Sequence, residues 1–92
     1  MLIMGRGAPD VEKAQLLFKL ARNHTWNNLY DRLEHFKRFQ NLGDIVKELS
    51  KKGWIIVHQK GKFTGISVNT QFKKDIIEFV EMHMPHMKGA IR

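Results

Sequence analysis

Apolar positions along this chain recur first at helical spacing, then at strand spacing, then at helical spacing again. Val11, Ala14, Leu17, Phe18 and Ala21 repeat with the helical period, and Leu16 and Leu20 widen the stripe. A first helix, buried on more than one side, is predicted from Pro9-Asp10 onward. Proline suits a first helical turn, and Asp10 and Glu12 place negative charge against the positive end of the helix dipole. Asn23-His24-Thr25 interrupts the pattern. A second helix is predicted from Thr25 or Asn27, either of which can cap it, through Trp26, Leu29, Tyr30, Leu33 and Phe36. Lys37-Arg38-Phe39 is the expected turn after it.

The third helix has the sharpest predicted boundaries. Asn41 can cap it, with Asp44 three residues on as a short-armed capping box, and Leu42, Ile45, Val46 and Leu49 form its stripe. Lys51 and Lys52 suit the negative end of the dipole, and Gly53 supplies the left-handed residue that ends many helices. The period then changes. Trp54-Ile55-Ile56-Val57 and Phe63-Thr64-Gly65-Ile66-Ser67-Val68 read as strands joined by His58-Gln59-Lys60-Gly61-Lys62, a hairpin with a cationic tip. Gly61 is expected at positive φ in the turn and Gly65 at a bulge. A fourth helix is predicted from Asn69 or Thr70, with Phe72, Ile76, Phe79, Val80 and His83 on one side, stopping before Pro85.

At 92 residues with 42% hydrophobic content the chain suffices for one domain with a single core, and disorder throughout is excluded. The expected division is a flexible start over residues 1–8, a domain over 9–84 and a flexible tail over 85–92. Cysteine is absent, which removes disulfides, thiolate catalysis and cysteine-ligated zinc. Apolar runs reach only about four residues, too short to cross a bilayer, so no membrane association is expected and a cytoplasmic location is. Sixteen Lys and Arg against nine Asp and Glu leave a charge of +7, a field that attracts polyanions.

The order helix, helix, helix, hairpin, helix, with Leu42-x-x-Ile45-Val46-x-x-Leu49-x-Lys51-Lys52-Gly53-Trp54-Ile55 and then Ile66-Ser67-Val68-Asn69, resembles the recognition helix and wing of MarR-like, PadR-like and ArsR-like regulators. The resemblance covers about two thirds of the chain, through short motifs. It implies a mainly helical α+β fold, a winged helix-turn-helix of three helices, a two-stranded wing and a C-terminal helix. It also implies a double-stranded DNA partner, a role in transcription regulation, and a homodimer formed through the terminal helix.

In that arrangement Gln40, Asn41, Gly43, Asp44, Lys47 and Lys51 face the major groove. Asn and Gln can pair with adenine, Asp can accept from the cytosine amino group, and Lys47 can reach guanine or a phosphate. Gly43 is tolerated either for close approach of DNA or for packing on another helix. Lys60 and Lys62 form the wing contact, and Arg38, Lys51 and Lys52 act as phosphate clamps. Between Arg32 and Lys62 eight basic residues stand against three acidic ones, so the excess charge falls in the segment that the fold nominates. Asp44 and Glu48 on the third helix favour an alternative, a winged-helix module that docks on protein within an assembly.

Other chemistry is weaker. Met82-His83-Met84-Pro85-His86-Met87 is dense in thioether and imidazole donors, yet its spacing fits a core or interface stripe, and neither a metal nor another cofactor is expected. Phosphate loops, nucleophile elbows and paired-histidine zinc motifs are missing, so no catalytic residue is nominated. Trp26, Tyr30 and Phe36 read as core residues, leaving Phe39 as the one aromatic open to stacking.

Overall fold

The computed structural model describes residues 10–91. Along the chain run α1 (Asp10–Arg22), β1 (Asp31–Arg32), α2 (Leu42–Lys51), β2 (Ile55–Gln59), β3 (Thr64–Val68) and α3 (Lys73–His83). Short 3-10 turns lie at Leu33–Phe36, Thr70–Phe72 and Pro85–Met87. The architecture is α+β and mainly helical, with three strands in the antiparallel order β1-β3-β2. The expected start over residues 1–8 lies outside the described residues.

Helix α1 forms as its composition dictates, with Asp10 and Glu12 in the first turn and Lys19 and Arg22 in the last. Its buried residues, Ala14, Leu16, Leu17, Phe18, Leu20 and Ala21, cover a wide arc because α2, α3 and β3 all pack on it. His24, at φ 59°, ends the helix in the left-handed conformation usually left to glycine. Two bonds close that end, His24 N–H to the Ala21 carbonyl at 3.1 Å and Thr25 N–H to the Leu20 carbonyl at 2.9 Å.

The second predicted helix does not form over most of its length. Residues 25–32 instead meet the free edge of β3 twice, through a parallel bridge from Trp26 to Val68 and, after a turn, through the antiparallel pairing of Asp31 and Arg32. Val68 N–H donates to the Thr25 carbonyl and Asn27 N–H to the Val68 carbonyl, each at 2.8 Å, and Asp31 and Arg32 pair with Ile66 and Gly65. Asn27 takes φ 51°, which no helix interior allows. The helical spacing of Trp26, Leu29, Tyr30, Leu33 and Phe36 is therefore misleading. Trp26, Leu33 and Phe36 reach the core, whereas Leu29 is 67% exposed and Tyr30 crosses to the outer face of the sheet. Strand pairing satisfies the same backbone groups a helix would have satisfied, and Asn27-Asn28 gives a helix little support. Only Leu33–Phe36 coils, and the Asp31 carboxylate holds its entry by accepting from Arg32 N–H at 2.8 Å.

The hairpin follows prediction in place and departs in detail. Register runs from Ile55–Val68 to Gln59–Thr64 without interruption, so no bulge occurs at Gly65. Lys60 N–H closes the turn on the Phe63 carbonyl at 2.9 Å, and Gly61 is not at positive φ. Ile55, Ile66 and Val68 are buried in the core formed with α1, α2 and α3.

Asn69 caps the 3-10 turn that leads into α3 by accepting from Gln71 N–H at 3.0 Å, while its amide donates to the Gly53 carbonyl at 2.9 Å. Ile76 and Val80 are fully buried, in the helix that packs on α1. The helix stops at His83, before Pro85. Beyond it Gly89 N–H donates to the Glu81 carboxylate at 2.8 Å, and Ile91 is 9% exposed against the core. An apolar residue near the end gives the tail a reason to fold back.

Candidate nucleic-acid interface

The best-defined part of the candidate surface is α2. Gly53, at φ 85°, ends it with paired bonds, Gly53 N–H to the Ser50 carbonyl and Trp54 N–H to the Leu49 carbonyl, both at 3.0 Å. Ile45 and Leu49 are fully buried and Leu42 and Val46 pack beside them, which fixes the rotation of the helix. Gly43, Asp44, Lys47 and Lys51 are left together on its exposed side. A Cβ at Gly43 would meet nothing within 4 Å, so close packing on another helix does not explain that glycine.

The other nominated residues are dispersed. Asn41 makes no side-chain cap; its amide donates to Glu12 of α1 at 3.1 Å, and the expected capping box with Asp44 is absent. Arg38 and Gln40 line a trough against α1, together with Gln15 and Lys19. Lys52 leaves the exposed side of α2, its ammonium 4.8 Å from the centre of the Trp54 ring and 5.9 Å from that of Phe79. At the hairpin, Lys60 lies 5.1 Å over the ring of Tyr30, while Lys62 lines a cleft with Lys37, Leu42 and Phe63. Lys62 thus stands beside the start of α2, and Lys60 is drawn onto the outer face of the sheet.

One of the two acids on α2 is neutralised from within the fold. Glu48 takes the Lys13 ammonium at 2.7 Å, and Lys13 also reaches Asp10 at 3.4 Å. Burial alone pulls the Lys13 pKa down, but the hydrogen bonds and charges of Glu48 and Asp10 outweigh it and hold the pKa above its ordinary value. Asp44 has no such counterion among the described residues.

The helical pattern of residues 25–36 conceals a cluster on the outer sheet face. Tyr30 stacks on His58, ring centres 4.8 Å apart, and tilts against Phe63 at 6.0 Å, while the Arg32 guanidinium covers Phe63 at 4.2 Å. Beneath them the fully buried Ser67 donates to the Asn27 carbonyl at 2.6 Å. Its oxygen, 2.9 Å from His58 Nε2, is then left to accept, so the imidazole carries a proton on Nε2. A glycine followed by a serine in an apolar strand, Gly65-Ile66-Ser67, is the sequence signal for something lying across that face.

The methionine and histidine stretch does not converge on a point. Met84 is buried, Met87 packs on the core, and His83 Nδ1 lies 3.0 Å from the Phe79 carbonyl. No group of three or more His, Cys, Asp or Glu suited to a metal ion occurs among the described residues. No helix among them is long and apolar enough to cross a membrane. Comparison with protein-family models, curated proteins and solved structures finds no match to this chain.

Proposed function

We propose that this chain is a double-stranded DNA-binding domain of winged-helix type that holds the duplex mainly through its phosphates. The order of its elements supports the fold reading, since a short strand after α1 pairs with the second hairpin strand in the manner of a winged sheet. The observation that carries the functional reading is the exposed side of α2, where Lys47 and Lys51 have no ion pair among the described residues while Glu48 is cancelled by Lys13, next to a hairpin tip bearing Lys62. Lysines in that position release counterions from DNA, which supplies affinity without reading sequence.

Base readers are scarce on that side. Asn41 is committed to Glu12, and Gln40 lines the trough against α1, which leaves Asp44 as the polar side chain besides the lysines. A general rather than an operator-specific binder follows, in which regulation of transcription and a paired second copy are secondary uses of the fold.

The test is a titration of random-sequence duplex at several salt concentrations. Lys47→Ala with Lys62→Ala should flatten the slope of log K against log salt by about 0.9 for each phosphate no longer neutralised. An unchanged affinity and slope would remove the reading and favour a module that docks on protein.

A further inference from the structure

A second basic surface lies on α1, away from the residues that nominated DNA. Gln15, Lys19 and Arg22 follow one another along one side of the helix, and the turn before α2 brings Arg38 and Gln40 to face them across Phe39. Lys19 and Arg38 line both halves of this trough, and Arg22 with Asn23 closes its far end. None of the three cations is ion-paired among the described residues; the Lys19 ammonium lies 5.3 Å over the ring of Phe36, so Arg22 and Arg38 carry most of the trough's available charge.

Part of this charge serves the helix. Lys19 and Arg22 sit in the last turn of α1, where cations suit the dipole. Arg38 has no such reason to be there, because it belongs to a different element and adds a third like charge to the same depression. The one acid in the trough, Glu12, lies at the opposite end from Arg22 and already accepts from the Asn41 amide. Three converging cations with amide donors around them are repelled by one another and attracted by a chain of anions.

We propose that this trough is a second phosphate-backbone track, which takes a sugar-phosphate strand of nucleic acid in addition to the surface on α2 and the hairpin. It rests on the nucleic-acid reading given above. From Gln15 to Arg22, α1 rises about 10 Å at roughly 1.5 Å per residue, the length of about three base pairs at roughly 3.4 Å each. A run of several phosphates therefore fits it better than a single ion.

The experiment uses the full chain with a random-sequence 20-base-pair duplex, measured over a range of salt, and compares three variants. Arg22→Ala with Arg38→Ala should lower affinity several-fold and flatten the salt slope by nearly two, one phosphate per residue. Its effect should add to that of the Lys47→Ala, Lys62→Ala pair, as for separate sites. Lys74→Ala, an exposed lysine on α3 outside the trough, should do much less. Circular dichroism confirms that each variant folds.

An unchanged slope in the Arg22, Arg38 variant, with the Lys47, Lys62 variant weakened, overturns the track and leaves the α2 surface standing. A loss from Lys74→Ala equal, per charge removed, to that of the double variant overturns it too, since only net charge would then matter. The reverse result, weakening from the trough alone, sustains the track and removes the α2 reading. No duplex binding by the unaltered chain removes both. Titration with inorganic tripolyphosphate is the remaining arm: tighter binding of it than of the duplex would make the trough a small-polyphosphate site and overturn the track.

Discussion

The ring of Tyr30 lies against Gly65 so closely that a Cβ on the glycine would stand 2.4 Å from Tyr30 Cδ1 and 3.0 Å from Cγ. The contact joins the segment that meets the edge of β3, where a helix was predicted, to the central strand of the sheet. It explains the glycine without a bulge, because the register on both sides of β3 is regular. On an open strand, Gly→Ala stabilises by roughly 0.5–1 kcal/mol through the unfolded chain. Here overpacking opposes that gain by about 1–3 kcal/mol. Gly65→Ala should therefore lower the denaturation midpoint, and in a Tyr30→Ala background the same change should raise it. Urea melts of the four chains measure the coupling; equal effects in both backgrounds would show that the ring is not what the Cβ meets.

Two other glycines separate on similar grounds. Gly53 combines φ 85° with a Phe72 ring carbon 3.1 Å from its absent Cβ, so Gly53→Ala faces both strain and a clash. A loss of about 1–2 kcal/mol is expected from the left-handed backbone alone. Gly61, at the hairpin tip, has neither a positive φ nor anything within 4 Å of a built Cβ. Gly61→Ala should be neutral or stabilising by up to about 1 kcal/mol. Thermal melts of the two variants should move in opposite directions or differ by at least the Gly53 loss.

The bond from Ser67 to the Asn27 carbonyl fixes more than one residue. Because that hydroxyl hydrogen is spent, His58 must donate through Nε2, which holds a proton on that nitrogen beside Tyr30. Long-range nitrogen–proton NMR should show the Nε2–H form for His58. Ser67→Ala strands a carbonyl and an imidazole N–H under the Tyr30 loop, a loss of about 1–3 kcal/mol. In that variant the His58 signals should shift toward a mixture of tautomers. A spectrum unchanged by the substitution would refute the network.

The sequence is most readable where a local signal and the tertiary environment agree. Leu42 to Leu49 repeats at helical spacing, Gly53 stops it, and the strands after it are β-branched, so α2 and the hairpin follow from the residues alone. Residues 25–36 mislead because Trp26, Leu33 and Phe36 reach the core whether the chain is coiled or extended. The deciding partner, the free edge of β3, lies some forty residues away in sequence, beyond what spacing can report. The candidate site is hard to read for a related reason. Asn41, Lys52 and Lys60 look free in sequence, but Glu12, Trp54 and Tyr30 engage them from other elements. Arg22 and Lys19 give no signal of their own, because a helix-end cation has an ordinary explanation until Arg38 is found opposite.

The two acids of α2 provide the sharpest test of where a duplex sits. Asp44 is exposed on the same side as Lys47 and Lys51, whereas Glu48 is paired with Lys13. If DNA lies along that side, Asp44→Asn removes a repulsion of about 1 kcal/mol and should tighten duplex binding by roughly fivefold. Glu48→Gln should change DNA binding little and stability more, by on the order of 1 kcal/mol, a modest figure because the Glu48 side chain remains 36% exposed. That loss has a signature in pH. Lys13 carries a pKa raised in the folded state, so its contribution is complete below the ordinary value of 10.5 and fades as pH rises through the higher folded value. The alkaline fall in stability should therefore be shallower in Glu48→Gln than in the parent chain, and the two melting points should converge above that range. Equal gains in DNA affinity from both substitutions would mean that the duplex meets α2 from the Glu48 side instead, or senses only the net charge of the chain.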